Sequence, residues 1–186
     1  MRTLALENNW KLLRAADQTE YPCNLPADNL TVLKAAGVVP DPYYADNELL
    51  VQWVGEEDWI FSTEVELDAE FLQYSHLFLE LDRIDTFADV YLNNIKIGST
   101  DNMFVQYRFD VRHAVSMGRN HLELRFSSPV RTALQHKRQL PYPVPHQDYP
   151  VQAQGRNLIR KVQCHAGWDW GPCLMVSGIY GSVRLV

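Results

Sequence analysis

Residues 59–68 read Trp59-Ile60-Phe61-Ser62-Thr63-Glu64-Val65-Glu66-Leu67-Asp68, and their side chains alternate between two kinds. Most odd positions are apolar, and the even positions from Ser62 onward are polar. A period of two residues places these sets on opposite faces of a β-strand. The stretch therefore predicts a strand with one buried face and one face in water.

The same alternation recurs along the chain. Further alternating segments run over Leu77–Asp82, Val90–Leu92, Ile95–Ile97, His121–Ser127 and Ile179–Val186, with shorter ones around Leu12 and over Tyr107–Val111. Asn93-Asn94 joins two of these segments, and asparagine tolerates the positive φ that a tight hairpin turn needs. About seven or eight short strands with turns between them predict an all-β, antiparallel β-sandwich.

One or two short helices are predicted besides the strands. Pro26 lies near the start of the first, Leu30 and Leu33 share one face, and Gly37 can end it in the left-handed conformation. A second, more polar helix is predicted over residues 130–140. The sequence shows no internal repeat and no boundary between two domains, so we expect one β-sandwich domain over residues 1–186.

A proline-rich segment follows the second predicted helix. Prolines occupy positions 141, 143, 145 and 150. Proline cannot donate a ladder hydrogen bond, so we expect an extended loop from Leu140 to Gln154. Because strands are predicted on both sides of it, the loop is interpreted as an excursion from one sandwich.

Charge and hydropathy exclude several classes of partner. The net charge is −6 with scattered Lys and Arg, which does not fit nucleic-acid binding. No run approaches the ~20 apolar residues of a membrane span. The apolar stretch in Met1–Asn9 is too short for a signal peptide, so a cytoplasmic location is expected.

The three cysteines and the generic catalytic motifs give little. Cys23, Cys164 and Cys173 are an odd, sparse set without C-x-x-C spacing, so we expect buried thiols and no disulfide framework, metal site or cofactor. No nucleophile elbow, phosphate-binding loop or H-E-x-x-H motif occurs. Glu56-Glu57-Asp58 groups three carboxylates, but adjacent residues do not oppose each other across a substrate, which favours a solvated loop.

The unusual segment is Gly167-Trp168-Asp169-Trp170-Gly171-Pro172. Two interpretations stay open from the residues alone. Trp168 and Trp170 could anchor a loop in the core, with Asp169 capping backbone donors, since tryptophan is buried on average. Alternatively the segment is a sugar subsite, in which the carboxylate accepts hydrogen bonds from hydroxyls and an indole covers a pyranose face.

Several blocks in order resemble the β-mannosidases of glycoside hydrolase family 2. They are Ala35–Tyr44 with Asp46-Asn47-Glu48, Val51–Gly55 with Asp58-Trp59, Leu81–Asn93, Asp101–Phe104 and Arg160–Pro172. The similarity runs from about Trp10 to Val186. Cys164 stands where that family commonly has an aromatic residue, and Cys173 where it commonly has a basic one.

The resemblance implies a galactose-binding-domain-like jelly roll at the N-terminal side of a (β/α)8 catalytic barrel. Such enzymes release terminal β-linked mannose with retention, using two glutamates of the barrel. This chain is too short for that barrel, so no catalytic residue is expected in it. The expected partners are the barrel and a β-mannoside or manno-oligosaccharide.

The resemblance also assigns roles to individual residues. It makes Trp168, Asp169 and Trp170 the substrate-binding residues. Trp168 and Asp169 would line the pocket for the terminal mannose, and loop support is the alternative role for Trp170. Arg160 and Asn47 lie in matching blocks, but no sugar contact is expected from either.

Two other functions remain as alternatives, a free-standing carbohydrate-binding module and a purely structural scaffold. The scaffold alternative requires buried Trp168 and Trp170. Without the barrel, we also expect an exposed apolar patch of more than a few hundred Å² and a tendency to self-associate.

Overall fold

Three antiparallel sheets make up the fold in a computed structural model, which describes residues 2–145 and 153–186. Thirteen strands lie within these described residues: β1 (Leu4–Ala5), β2 (Trp10–Arg14), β3 (Glu20–Cys23), β4 (Ala27–Asp28), β5 (Trp59–Leu67), β6 (Phe78–Leu81), β7 (Ile84–Asp85), β8 (Ala88–Leu92), β9 (Ile95–Thr100), β10 (Tyr107–Asp110), β11 (Gly118–Phe126), β12 (Gly178–Ile179) and β13 (Val183–Leu185).

The strand predicted from residues 59–68 forms as β5 and lies inside the largest sheet. That sheet has the order β3-β2-β5-β11-β8-β9, and the two others have the orders β1-β13-β6-β10 and β4-β12-β7. Strands β5 and β11 pair along their full length, from Trp59 opposite Phe126 to Leu67 opposite Gly118. The paired strands are antiparallel throughout the three sheets.

The core lies between the six-stranded and the four-stranded sheet. One cluster of buried side chains joins Leu12, Phe61, Leu67, Val90 and Leu124 of the former to Leu79, Leu81, Val183 and Leu185 of the latter. Burying apolar side chains between two sheet faces is the arrangement of a β-sandwich. The predicted all-β, antiparallel sandwich is therefore confirmed.

One side chain of the predicted wet face of β5 is buried. Ser62 is 5% exposed, although it lies on the face with the exposed Glu64 and Glu66. Its partners across the sheet are Lys11 on β2 and Glu123 on β11. The small serine is covered because longer side chains flank it on both sides, a neighbour effect that alternation alone does not reveal.

The first predicted helix forms as α1 (Asn29–Ala35). Asp28 caps it, since its carboxylate accepts a hydrogen bond from the Thr31 amide and the Thr31 hydroxyl oxygen accepts one from the Asp28 amide. Gly37, at φ +72°, ends it, and the amide of Val38 reaches back to the Leu33 carbonyl at 3.0 Å. The helix starts later than predicted because strand β4 takes the residues after Pro26.

Two further helices lie next to each other. A single turn, α2 (Trp53–Glu56), was not predicted, and α3 (Pro129–Gln139) is the predicted polar helix. Residues 141–145 have no helix or strand, as the prolines predict, and the rest of the proposed loop to Gln154 lies mainly outside the described residues. Among the described helices, none combines the length and apolarity needed to cross a bilayer.

Candidate functional site

The Trp-Asp-Trp segment forms a small hairpin, residues 166–173, which we call the site hairpin. Ala166 bridges to Cys173 in antiparallel fashion at its base. At its tip the amide of Trp168 donates to the Gly171 carbonyl at 3.2 Å, and the amide of Gly171 donates back at 3.4 Å. Gly167 has φ +92°, a conformation that favours glycine. Asp169 and Trp170 therefore occupy the two tip positions.

Side chains from outside the hairpin brace it. The Glu48 carboxylate accepts a hydrogen bond from the Cys173 amide at 2.5 Å, and the Gln52 side chain donates to the Cys173 carbonyl at 2.8 Å. The other strand of the hairpin is held at Gly167, whose carbonyl accepts a hydrogen bond from Arg156 at 2.9 Å. The Arg156 guanidinium also lies 6.0 Å from the Trp168 ring centre. The hairpin backbone is therefore fixed on both sides, and its tip projects.

The tip presents aromatic and acidic surface to solvent. Trp170 is 82% exposed and Trp168 is 36% exposed, with their ring centres 5.7 Å apart. Within the described part of the chain, the exposed Asp169 carboxylate accepts no hydrogen bond. These positions contradict the scaffold alternative, which requires buried tryptophans and an Asp169 bonded to backbone.

A cleft of about 640 Å³ lies beside the site hairpin. Aromatic rings of Tyr43, Trp168, Trp170 and Tyr180 line it, as do the polar residues Asp28, Thr31, Lys34 and His165. Its size lies within the range of pockets that hold small organic ligands, and apolar walls with a few polar groups are typical of such pockets. Trp168 and Trp170 form part of the cleft wall, and the exposed Asp169 lies between them at the hairpin tip, outside that wall.

Helix α1 supplies the opposite wall of the cleft. Leu30, Thr31 and Lys34 belong to it, and Lys34 is held by Asp41 at 2.8 Å. The Tyr180 hydroxyl donates to the Asp28 carboxylate at 3.2 Å. Burial raises the pKa of Tyr180, and the neighbouring carboxylates raise it further, so this residue stays a neutral hydroxyl.

A buried ion pair lies directly behind the cleft wall. The Lys161 ammonium bonds the Asp85 carboxylate and the Val176 carbonyl, the latter at 2.6 Å, and both charged side chains are almost completely buried. Burial raises the pKa of Asp85, but the Lys161 charge and the polar contacts from His165, Lys161 and Thr86 outweigh it and hold the pKa below its usual value. Burial also lowers the pKa of Lys161, and Asp85 opposes that effect.

The three cysteines differ in exposure. All are free thiols; Cys173 is buried, Cys23 is half-buried and Cys164 is exposed at the cleft. The expectation of buried thiols is therefore wrong for Cys164, because it lies in a 3₁₀ turn over Gln163–His165 that borders the opening. Burial raises the pKa of Cys173 to about 11, and no cluster of metal-ligating side chains occurs among residues 2–145 and 153–186.

The remaining residues that the sequence singled out, Asn47, Arg160 and the carboxylates at positions 56–58, lie outside the lining of the cleft. Asn47 donates to the Asp41 carbonyl at 2.9 Å, and the exposed Arg160 accepts a backbone hydrogen bond from Met103. In the carboxylate group only Glu56 is exposed. Glu57 pairs with Arg14 at 3.0 Å, and the Asp58 carboxylate accepts from the Ser128 amide at 2.7 Å before α3, so two of the three stabilise the fold.

Sequence reasoning found the tip of the site but missed its support. Trp168, Asp169 and Trp170 stand out as a local motif, and the fold brings them together on one hairpin. Of the two bracing residues, Glu48 lies in the five-residue 3₁₀ segment Asn47–Val51, and Gln52 directly follows that segment. They lie more than a hundred positions from Cys173, and no spacing in the sequence announces such a contact.

Comparisons with known proteins agree with this architecture. The family described as "Glycosyl hydrolase 2 galactose-binding domain-like" matches residues 10–181. The rat (Rattus norvegicus) beta-mannosidase is 37% identical over 185 residues, which are 97% of this chain and 21% of that protein. The chain thus spans about a fifth of the length of the curated relatives it matches.

Solved structures give the same result. The crystal structure of a beta-D-mannosidase from Dictyoglomus thermophilum superposes with a TM-score of 0.95 at 40% identity, covering 100% of this chain and 22% of that one. An exo-chitosanase from Amycolatopsis orientalis has a TM-score of 0.71 at 16% identity, covering 100% of this chain and 20% of that one, and shares the fold. The resemblance noted in the sequence is confirmed, and the chain belongs to the glycosyl hydrolase 2 galactose-binding domain-like family.

Proposed function

We propose that this chain is a non-catalytic domain of an exo-acting, retaining β-mannosidase. In the complete enzyme it contributes Trp168, Asp169 and the exposed Trp170 to the terminal-mannose subsite, while a linked (β/α)8 barrel supplies the acid/base and nucleophile. Relatives and a structural neighbour that carry the name beta-mannosidase support this proposal. A single β-sandwich domain over residues 1–186 and a cytoplasmic location stay predictions.

One observation carries the proposal for the site. The hairpin backbone is braced by Glu48, Gln52 and Arg156, while the Asp169 carboxylate at its tip has no hydrogen-bond donor among the described residues. A rigid support under an unused acceptor suits recognition, because a sugar hydroxyl can bond it without competing with an internal partner. An exposed indole next to it offers a face for a pyranose ring.

The test is Asp169→Ala in the complete enzyme, assayed on a β-mannoside. We expect kcat/KM to fall on the order of 10²-fold or more, because a site built to bond a hydroxyl loses strongly when one partner is removed. Glu66→Ala is the control, since Glu66 is an exposed carboxylate on β5. Unchanged turnover by Asp169→Ala would refute the sugar contact.

A free-standing carbohydrate-binding module is the second candidate. The exposed Trp170 and the aromatic lining of the cleft favour it, since exposed aromatic faces bind sugars in many sandwiches. Titration calorimetry of the isolated chain with manno-oligosaccharides separates the candidates. Measurable binding by this chain alone would favour the module, whereas the first candidate needs the barrel to complete the subsite.

A further inference from the structure

His165 connects the buried ion pair to the cleft. It ends the 3₁₀ turn just before the site hairpin, and its carbonyl accepts a hydrogen bond from the Leu174 amide at 2.8 Å. Its ring borders the cleft, with the ring centre 6.3 Å from that of Tyr180. The side chain is 25% exposed, so part of the ring is accessible from the cleft.

The Nδ1 edge of the ring is buried, although His165 belongs to the lining of the cleft. Nδ1 is buried and lies 3.3 Å from Oδ2 of Asp85, a contact that is long and poorly aligned for a hydrogen bond. No other group among the described residues bonds Nδ1. A carboxylate at this distance nevertheless favours the tautomer with the proton on Nδ1, and such contacts tighten when a ligand closes the site.

Lys161 makes this arrangement possible. A buried carboxylate without a counter-charge would be costly. The Lys161 ammonium supplies that charge and keeps Asp85 ionised at 0% exposure. The Asp85 carboxylate in turn also accepts a hydrogen bond from the Thr86 hydroxyl, which fixes its orientation. The cluster therefore fixes a carboxylate oxygen of Asp85 next to the buried edge of His165.

We infer that His165 is a further substrate-contacting residue, oriented by Asp85, whose Nε2 accepts a hydrogen bond from a sugar hydroxyl bound in the cleft. A neutral imidazole with its proton on Nδ1 leaves Nε2 as a hydrogen-bond acceptor. The aromatic rings of Trp168 and Trp170 border the same cleft, so a sugar stacked there meets both kinds of contact. This inference rests on the proposed function and adds a specificity residue to it.

Two matched substitutions in the complete enzyme separate the two edges of the ring. His165→Asn keeps an amide near the Nδ1 position and removes the acceptor in the cleft, whereas His165→Gln can return an amide oxygen to the Nε2 position. We expect His165→Asn to lower kcat/KM on a β-mannoside about tenfold, the size of one lost neutral hydrogen bond. His165→Gln should recover most of that loss.

Monodeoxy mannosides supply a readout that a structural role would not move. For the analogue lacking the contacted hydroxyl, wild type and His165→Asn should have equal kcat/KM, while analogues lacking other hydroxyls should keep the tenfold difference. The same loss on every analogue, or no loss on any, would overturn the inference. A wild-type enzyme that turns over no β-mannoside would instead refute the proposed function, so the two failures are distinguishable.

Discussion

At the scale of single residues, the Asp85–Lys161 pair is the most consequential feature that sequence patterns did not announce. Both residues lie in blocks that resemble the family, yet 76 positions separate them. A lysine is rarely fully buried, so the default expectation for Lys161 is the surface. Its burial depends on a partner supplied by strand β7, and only the folded chain brings the two together.

The pair gives a prediction about stability. Lys161→Met should lower the free energy of unfolding at pH 7 by about 3–5 kcal/mol, because it leaves the Asp85 carboxylate buried without a counter-charge. Chemical denaturation followed by tryptophan fluorescence measures this loss. Lys96→Met is the control, since Lys96 forms an ion pair with Asp89 at 2.8 Å in which both side chains are exposed. A loss no larger than that of the control would contradict the prediction.

The same comparison has a pH dependence of known sign. In the wild type the pKa of Asp85 lies below its usual value of 3.8, so the stability it contributes is present above that value and lost as the pH falls through the lower folded pKa. In Lys161→Met, burial without the lysine raises that pKa instead. The stability difference between the two proteins should therefore shrink as the pH falls from 7 to below about 4.

At the scale of elements, the long strands follow from their residues and the short ones do not. The β5 and β8 strands and the β8–β9 hairpin match the alternation and the Asn93-Asn94 turn. The two-residue strands β1, β4, β7 and β12 carry no periodic signal. They exist because other strands lie beside them, as Gly178 does between Asp28 and Asp85.

Asn93 and Asn94 of the β8–β9 turn have different roles. Asn93 and Asn94 have φ values of +50° and +65°, as a tight hairpin requires. The Asn93 side chain also donates to the Ala114 carbonyl at 2.9 Å and to the Asn120 side chain at 2.8 Å. Asn94 is exposed, so its contribution is conformational.

Substitutions at Asn94 test this interpretation. Asn94→Ala should lower the free energy of unfolding by about 1 kcal/mol, because a Cβ without a local polar group disfavours the left-handed region. Asn94→Gly should stay close to wild type, since glycine adopts that conformation freely and its extra freedom in the unfolded chain costs little. Thermal and urea unfolding measure both. Equal stability of the two variants would show that backbone conformation is not the reason for asparagine at this position.

At the scale of the whole molecule, large apolar side chains around the site hairpin are exposed to solvent. Tyr43 and Trp170 border the cleft, and the segment Asn47–Val51, which carries the exposed Leu49 and Leu50, is tied to the hairpin by Glu48. Monomeric proteins rarely keep large apolar patches in water. Relatives are about five times longer than this chain, and under the proposed function a linked domain would cover this face.

The last prediction concerns that uncovered face in the isolated chain. We expect sedimentation velocity to show association that grows with concentration, and Leu50→Asp, at a side chain 61% exposed, to weaken it. Met117→Asp is the matched control, because Met117 is also exposed, at 70%, but lies far from the site. It precedes Gly118, the first residue of β11, whereas Phe126 is the last residue of that strand. At about 3.4 Å per residue, the nine residues of β11 separate these two ends. A chain that stays monomeric at high concentration would contradict an apolar docking face, whereas equal weakening by both variants would place the association elsewhere on the surface.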